Sequence, residues 1–337
     1  CSSDLKCNLW LRTADRVKIV VGRFNATTFE QLFEQTKSLP WETIIDKDGS
    51  FPVQGKSVKS TLYSVPDCQA ITKKAIVERL KYAYQESGWL NETGAKFPVE
   101  VSILKDNVLL TIDTSGSGLN KRGYRLAQGE APIKETLAAS LIKLANWTGQ
   151  TPLIDPFCGS GTIAIEACLI AQNIAPGFNR EFVSEAWHII PEDLYEKLRN
   201  EADQQADYDK EVEVYAYDID PDMIEIAKRN AAEVGLSDII QFEVKDVNTL
   251  TIHREEPMAL IGNPPYGERI GDREEVETMY RYIGKLMAQH PFLSTYILTS
   301  NKEFEFLANR KATKRRKLFN GYIECNYYQY WGKKPQY

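Results

Sequence analysis

Hydrophobic residues up to about residue 115 fall into short runs of strand length and onto single faces of predicted helices. Thr27 or Thr28 and Asp67 are predicted to cap two of these helices. The predicted strands are residues 17–22, 58–63, 97–103 and 108–112. Residues 1–115 are therefore predicted to form a small α+β domain.

From residue 131 the pattern changes to a regular alternation of helices and short apolar strands. The predicted strands are residues 153–155, 212–217, 239–244, 259–261 and 295–299. This alternation predicts a mostly parallel sheet with helices on both faces, the doubly wound α/β arrangement. An acidic insertion at 177–211, predicted to be helical near 194–206, interrupts it.

The last predicted elements differ in kind. Asn320 and Gly321 stand between two β-prone runs, and this dipeptide is the strongest short-range signal of a β-hairpin. A mostly parallel sheet closed by an antiparallel hairpin resembles the sheet of S-adenosylmethionine-dependent methyltransferases. A dehydrogenase-type Rossmann domain is expected to continue the alternation instead. Residues 131–337 are therefore predicted to form a Rossmann-like methyltransferase domain.

A glycine turn joins the first strand of this sheet to its helix. Asp155 ends the strand, Gly159 and Gly161 follow, and a helical pattern begins at Thr162. Glycines let backbone amides approach a ligand closely, and the helix start adds partial positive charge. The third glycine of the dinucleotide fingerprint is missing, so the turn alone fits a plain strand-to-helix connection equally well. It indicates a nucleotide-like cofactor only together with a second motif.

The second motif is Asn263, Pro264, Pro265 and Tyr266, at the end of a predicted strand. The exocyclic amine of a purine is a poor nucleophile, because its lone pair is delocalised into the ring. The side-chain oxygen of Asn263 and the carbonyl of Pro264 can accept hydrogen bonds from this amine and stabilise the charge that develops during attack. Prolines stiffen the loop, and Tyr266 offers a ring on which an extruded base can stack. The alternative is a rigid strand-to-loop turn.

Aspartates follow two other predicted strands. Asp218 is placed to accept hydrogen bonds from ribose hydroxyls. Asp246 is placed to accept a hydrogen bond from the exocyclic amine of adenine. The alternative is that it belongs to a simple surface turn. Asp220 precedes Pro221 and is predicted to cap the next helix.

Six scattered cysteines and three scattered histidines predict reduced thiols, no disulfide framework and no metal site. Cys158 lies inside the cofactor turn and no cysteine is expected near Asn263, so a packing role is predicted for it rather than a nucleophilic one. The sequence has no signal-peptide pattern and no apolar run of membrane-spanning length, so a cytoplasmic protein without membrane contact is expected. Because it starts with Cys1, we expect a fragment or a processed form.

The net charge of −6 argues against indiscriminate nucleic-acid binding, but the charge is segregated. Residues 116–130 are predicted to be a basic linker. Its RNA-binding candidates, which can contact phosphate or a stacked base, are Lys121, Arg122, Tyr124 and Arg125. A solvated linker is the alternative. A second basic run, at 310–317, precedes several aromatic residues and predicts either a nucleic-acid contact or a packed hairpin.

Residues 155–162, 218–221, 263–269 and 121–125 together resemble one family, and so do shorter stretches at 9–16 and 64–67. The chain is similar along essentially its whole length to the THUMP-domain RNA methyltransferases, a family similar to the bacterial 23S rRNA guanine-N2 methyltransferase L. The resemblance implies that residues 1–115 are a THUMP module that binds structured RNA. Family members usually carry a further N-terminal segment, so a truncated THUMP domain is expected.

The resemblance also implies S-adenosylmethionine as the cofactor and Asn263, Pro264, Pro265 and Tyr266 as the catalytic residues over the target base. The implied cofactor-binding residues are Asp155, Pro156, Phe157, Gly159, Gly161, Thr162, Asp218 and Asp246. The predicted reaction is methylation of a guanine N2 amine in RNA, with 23S rRNA as the target. The alternatives are methylation of adenine N6 in RNA or DNA, of a tRNA guanine, and a non-catalytic RNA-binding assembly factor.

Overall fold

The computed structural model describes residues 2–126, 132–266 and 272–334. The helices are α1 Ser2–Trp10, α2 Phe29–Lys37, α3 Val65–Ala83, α4 Glu135–Ala145, α5 Thr162–Ala171, α6 Leu194–Gln205, α7 Pro221–Ala232, α8 Asp272–Gln289 and α9 Phe304–Leu307. The strands are β1 Lys18–Asn25, β2 Val53–Val58, β3 Val99–Leu104, β4 Asn107–Asp113, β5 Leu153–Asp155, β6 Val214–Asp218, β7 Ile240–Val244, β8 Met258–Gly262, β9 Leu293–Thr299, β10 Lys314–Asn320 and β11 Ile323–Tyr330. None of the described helices combines the length and the apolar character that a membrane crossing requires.

The chain divides into two compact units. One runs up to Leu119 and resumes over Arg180–Glu201, and the other holds Asn120–Asn179 and continues from Ala202. The first unit contains a four-stranded sheet in the order β1-β4-β3-β2, in which β3 and β4 form the predicted hairpin. Thr28 caps α2, and its side chain accepts from the backbone of Gln31.

Two boundaries in the first unit differ from the prediction. The strand expected at 58–63 is β2, at Val53–Val58, because the chain turns at Lys59, whose φ is +50°. The helix expected to begin after Asp67 is α3, which begins at Val65, so Ser64 is its N-cap. Pro66 lies in the first turn of this helix, where proline favours helix initiation.

Part of the acidic insertion packs with the first unit. The ring of Trp187 stacks on Phe97 with 4.9 Å between centroids, and its Nε1 donates to the carbonyl of Lys96 at 2.9 Å. The hydroxyls of Tyr195 and Ser184 share a 2.7 Å hydrogen bond. Residues 180–201 fall within the predicted methyltransferase domain, 131–337, but they belong to the first unit.

The second unit contains, in its described part, a seven-stranded sheet in the order β10-β11-β9-β8-β5-β6-β7. Strands β5 to β9 run parallel, and β11 pairs antiparallel with both β9 and β10. Side chains alternate between the cores on the two faces: Ile261 packs in one and Leu260 in the other. The predicted sheet, mostly parallel and closed by an antiparallel hairpin, is confirmed.

The closing hairpin turns one residue later than predicted. Asn320 pairs with Ile323, so the two turn residues are Gly321 and Tyr322. Gly321 has a φ of +64°. The first position of such a two-residue hairpin turn requires a positive φ, which glycine adopts at low cost. Asn320 is thereby the last residue of β10 and not part of the turn.

Candidate active site

A cavity of about 570 Å³ lies where β5, β6, β7 and β8 end. Because the carboxyl ends of parallel strands meet at one edge of a sheet, it brings together motifs that are far apart in the sequence. Ten residues predicted for cofactor binding or catalysis line it: Pro156, Phe157, Gly159, Thr162, Asp218, Asp246, Asn263, Pro264, Pro265 and Tyr266. Two predicted residues, Asp155 and Gly161, are not among the residues that line it.

The glycine turn presents open backbone to this cavity. Gly159 has a φ of +50°, and a Cβ added there would meet no described atom within 4 Å. Its N–H donates to Asp218 Oδ2 at 2.9 Å, and the N–H of Asp220 donates to Asp218 Oδ1 at 3.0 Å. Carboxylate oxygens have further lone pairs, so Asp218 can still accept from hydroxyls of a ligand.

Gly161 has a structural role at the start of α5. Its φ is +84°, and an added Cβ would lie 3.1 Å from the Cβ of Ala227. The residue therefore lets α5 and α7 approach each other closely, and its contact with the cofactor stays a prediction.

Asp155 is fully buried beneath the turn. Its Oδ1 accepts from the N–H of Phe157 at 3.3 Å, whereas Oδ2 has no hydrogen-bond partner among the described residues. Burial, and then the nearby charge of Asp218, raises the pKa of Asp155 to about 8. A positively charged group close to the turn would favour the ionised carboxylate, so this arrangement fits a cationic ligand such as a sulfonium with an ammonium group.

The other two aspartates have capping roles. Asp220 caps α7, as predicted, and its Oδ1 accepts from the N–H of Asp222 at 2.9 Å. Asp246 lines the cavity, but its Oδ1 also accepts from Asn248 N at 2.9 Å and Nδ2 at 3.0 Å. Asp246 therefore belongs to a local turn and also lies at the cavity wall, and its contact with the exocyclic amine of adenine stays a prediction.

The loop after β8 is held by two tyrosines. The hydroxyl of Tyr266 donates to Asn263 Oδ1 at 2.7 Å. The buried Tyr280, on α8, donates to the carbonyl of Pro265 at 3.4 Å and shares a 2.8 Å hydrogen bond with Thr299. Burial raises the pKa of Tyr266, so its phenol stays neutral and can donate. Residues 267–269 of the motif lie outside the described residues.

The sequence-based prediction missed the contribution of the hairpin. Asn320 and Ile323 line the cavity, Asn320 Nδ2 donates to the Tyr266 hydroxyl at 3.2 Å, and Cys325 Sγ lies 3.5 Å from the same oxygen. The expectation that no cysteine lies near Asn263 is therefore wrong, because pairing with β9 brings β11 beside the loop. Alternation along the hairpin is the signal that places Asn320 and Cys325 on one face.

Several other apolar residues of the cavity were also missed, and two of them have a signal in the sequence. Ile219 and Val247 directly follow Asp218 and Asp246, so their positions after strand-ending acids were the available signal. Cys158 lines the cavity but is 6% exposed, and burial raises the pKa of its thiol, which disfavours the nucleophilic thiolate. Among the described residues no group of three or more metal-ligating side chains occurs.

The segment 121–125, predicted to contact RNA, is mostly turned inward. Arg122 is 3% exposed, and its Nε lies 3.1 Å from Glu166 Oε1 on α5. Tyr124 is 1% exposed, and its hydroxyl lies 3.4 Å from the same carboxylate oxygen. Stacking or phosphate binding needs an exposed group, so the structure contradicts a direct RNA contact for Arg122 and Tyr124. Lys121 is exposed.

The end of this segment supports the glycine turn. Arg125 Nη2 donates to Thr162 Oγ1 at 2.9 Å. The N–H of Leu126 donates to Asn230 Oδ1 at 3.0 Å, and Asn230 Nδ2 donates to the carbonyl of Ser160 at 3.0 Å. The segment thus braces the turn that faces the cavity. Residues 127–130 of the predicted linker lie outside the described residues.

The chain was compared with known proteins. It is 57% identical to "Putative RNA methyltransferase YpsC" of Bacillus subtilis, over 98% of this chain and 86% of that protein. It is 35% identical to the ribosomal RNA large subunit methyltransferase K/L of Psychromonas ingrahamii over 95% of this chain, but it spans only 43% of that protein.

One similar solved structure carries a ligand. It is described as "SMU.472, a putative methyltransferase complexed with SAH", is 46% identical, and matches with a TM-score of 0.94 over 99% of this chain and 89% of that one. SAH, S-adenosylhomocysteine, is what remains of S-adenosylmethionine after methyl transfer. The prediction of S-adenosylmethionine as the cofactor is confirmed.

Two family models match the chain. One describes the THUMP domain and matches residues 26–113. The other describes the RMKL-like methyltransferase domain and matches residues 122–329, more than half of the chain. The chain belongs to the RMKL-like methyltransferases that carry a THUMP domain.

Proposed function

We propose that this protein methylates the exocyclic N2 amine of a guanine in RNA and that its target is 23S ribosomal RNA in the cytoplasm. The observation that carries the proposal is one shared cavity, which both the glycine turn and Asn263 line. A methyl donor on one wall and a purine amine on the other require this proximity.

S-adenosylmethionine, when bound, supplies a methyl group activated on a sulfonium. The turn at Gly159, with Asp218 beside it and Asp155 below it, is the wall that fits this ligand. Asn263 Oδ1 has two lone pairs and takes one hydrogen bond from Tyr266, so the second lone pair can accept from the amine. The Pro264 carbonyl is the other acceptor. Both stabilise the positive charge that grows on the nitrogen as it attacks.

The choice of RNA and of guanine has separate support. The THUMP match and the printed names of the relatives support RNA. Guanine N2 rests on the resemblance to methyltransferase L, and because the chain spans less than half of the K/L relative, that protein's whole activity is not carried over.

We place part of the RNA contact on the closing hairpin. Tyr322, in its two-residue turn, is fully exposed, and both residues that flank the turn line the cavity. Lys314, Arg315 and Lys317 are exposed on β10. A ring for stacking beside basic side chains matches the chemistry of a single-stranded RNA segment next to an extruded base. Of the first candidate segment, only Lys121 remains proposed as an RNA contact.

The decisive experiment transfers labelled methyl groups from S-adenosylmethionine to total RNA, followed by digestion to nucleosides and chromatography. We expect label in N2-methylguanosine of large-subunit rRNA. Label in N6-methyladenosine, or only in tRNA, would contradict the proposed target, and failure to bind S-adenosylmethionine in calorimetry would favour an assembly factor. Asn263→Ala is expected to abolish transfer while the affinity for S-adenosylmethionine changes less than twofold.

A further inference from the structure

A chain of hydrogen bonds connects the hairpin to the proposed amine acceptor. Asn320 Nδ2 donates to the Tyr266 hydroxyl at 3.2 Å, and that hydroxyl donates to Asn263 Oδ1 at 2.7 Å. The thiol of Cys325, which is fully buried, lies 3.5 Å from the same hydroxyl. Asn320 on β10 and Cys325 on β11 lie 54 and 59 residues after Tyr266, which belongs to the loop after β8.

This chain has a direction. A tyrosine hydroxyl carries one proton, and the amide nitrogen of Asn320 can only donate. Because Asn320 donates to Tyr266, the tyrosine proton is directed to Asn263, and only the oxygen end of the Asn263 carboxamide can accept it. The opposite orientation of Asn263 would turn its NH2 group towards Tyr266 and change which atom is offered to a substrate amine.

The position of Asn320 is fixed by the fold. It ends β10 and pairs with Ile323, so the two-residue turn determines where its side chain lies. The neighbouring strand is held by Tyr327, whose buried hydroxyl donates to the carbonyl of Leu141 on α4 at 2.9 Å. Leu318, on the same face of β10, packs against the core. A rigid support is what a group that orients a catalytic side chain requires.

We propose that Asn320 is a positioning residue of the methyl transfer, which acts through Tyr266 to keep the Asn263 side-chain oxygen directed at the substrate amine. This inference rests on the proposed function, because it takes Asn263 as the amine acceptor. It extends the active site from the Asn-Pro-Pro-Tyr loop to the hairpin and gives the Tyr266 hydroxyl a task separate from stacking by its ring.

A double-mutant cycle tests the inference. Asn320→Ala is expected to lower kcat about tenfold, while KM for RNA and the calorimetric Kd for S-adenosylmethionine stay within twofold. In a Tyr266→Phe background, which already lacks the hydroxyl, Asn320→Ala is expected to cause no further loss. Asn320→Asp keeps the shape but offers only acceptors, so it competes for the tyrosine proton and is expected to lower kcat at least as much as alanine.

The control is Asn326→Ala, on the same hairpin. Asn326 follows Cys325 directly, so its side chain lies on the other face of β11, and it does not line the cavity. We expect its kcat to equal that of the wild type.

Two failures are distinguishable. Equal losses from Asn320→Ala in both backgrounds, or no loss in either, would overturn the positioning role while wild-type turnover leaves the proposed function intact. A wild-type protein that methylates no RNA would overturn the proposed function and the positioning role with it. This holds even if the free energies of unfolding of the wild type, Asn320→Ala, Tyr266→Phe and the double variant show that the two side chains are coupled.

Discussion

Two segments of the second unit share basic and aromatic residues but have opposite surroundings. Residues 121–125 and 314–322 both combine basic side chains with aromatic rings, and nucleic-acid contacts were predicted for 121–125 and for the basic run at 310–317. In the first segment Arg122 and Tyr124 are buried around Glu166. In the second, the tip residue Tyr322 is fully exposed beside the cavity.

The difference lies in what surrounds each segment. A buried carboxylate on α5 gives Arg122 a partner and makes the first segment part of the core. The second segment lies on an edge strand and in a tight turn, so only its alternate residues face the core. Composition therefore identifies groups that are able to bind RNA, while burial decides which of them are available to do so.

Removing the buried cation tests this comparison most strongly. Arg122→Ala is expected to lower the free energy of unfolding by about 3–5 kcal/mol, because it leaves the buried Glu166 without its ion-pair partner. Denaturant titration measures the change. Lys121→Ala, at the exposed neighbouring position, is the control and is expected to change stability by less than about 0.5 kcal/mol. An Arg122→Ala protein of normal stability with weakened RNA binding would reverse the roles given to the two segments.

Removing the exposed ring of Tyr322 is expected to weaken RNA binding and to leave stability nearly unchanged. Tyr322→Ala should weaken binding of an unmodified 23S rRNA transcript by about 1–3 kcal/mol, the contribution of one stacked base. Stability should change by less than about 0.5 kcal/mol, since the ring packs on nothing. Tyr322→Trp should retain affinity, and Phe306→Ala, which removes an aromatic side chain that is 83% exposed and not on the cavity wall, should have no effect. Unchanged RNA affinity in Tyr322→Ala would remove the hairpin tip from the interface.

The sequence was informative where one short stretch contains both the structural and the chemical signal. The turn from Asp155 to Thr162 and the loop from Asn263 to Tyr266 were identified because strand, breaker and functional residue are adjacent. Parallel strands then bring their ends together without further information.

The parts that the sequence could not reveal depend on pairing over long distances. Asn320 and Cys325 reach Tyr266 only because β11 pairs with β9, and nothing local to either residue indicates this neighbour. The burial of Arg122 likewise depends on Glu166, 44 residues later on α5. Charged residues are predicted to be exposed by default, so a buried ion pair is a systematic source of error.

The last and smallest predicted effect concerns Arg125. Its Nε lies 2.9 Å from Glu135 Oε1, and its Nη2 donates to Thr162 Oγ1 and to the carbonyl of Ile133, each at 2.9 Å. Lysine keeps the charge but cannot reproduce this forked set of bonds. Because Thr162 begins α5 and lines the cavity, Arg125→Lys should loosen the glycine turn and weaken S-adenosylmethionine binding by about 1 kcal/mol, the net contribution of one hydrogen bond.

Calorimetry with S-adenosylmethionine measures the effect of Arg125→Lys, and RNA affinity should stay unchanged. Arg254→Lys is the matched control, because that arginine makes exposed ion pairs whose contribution is small. If Arg125→Lys weakened RNA binding and left the cofactor affinity intact, Arg125 would contact RNA after all. Segment 121–125 would then contain a residue that contacts RNA, and only its buried residues Arg122 and Tyr124 would differ from segment 314–322.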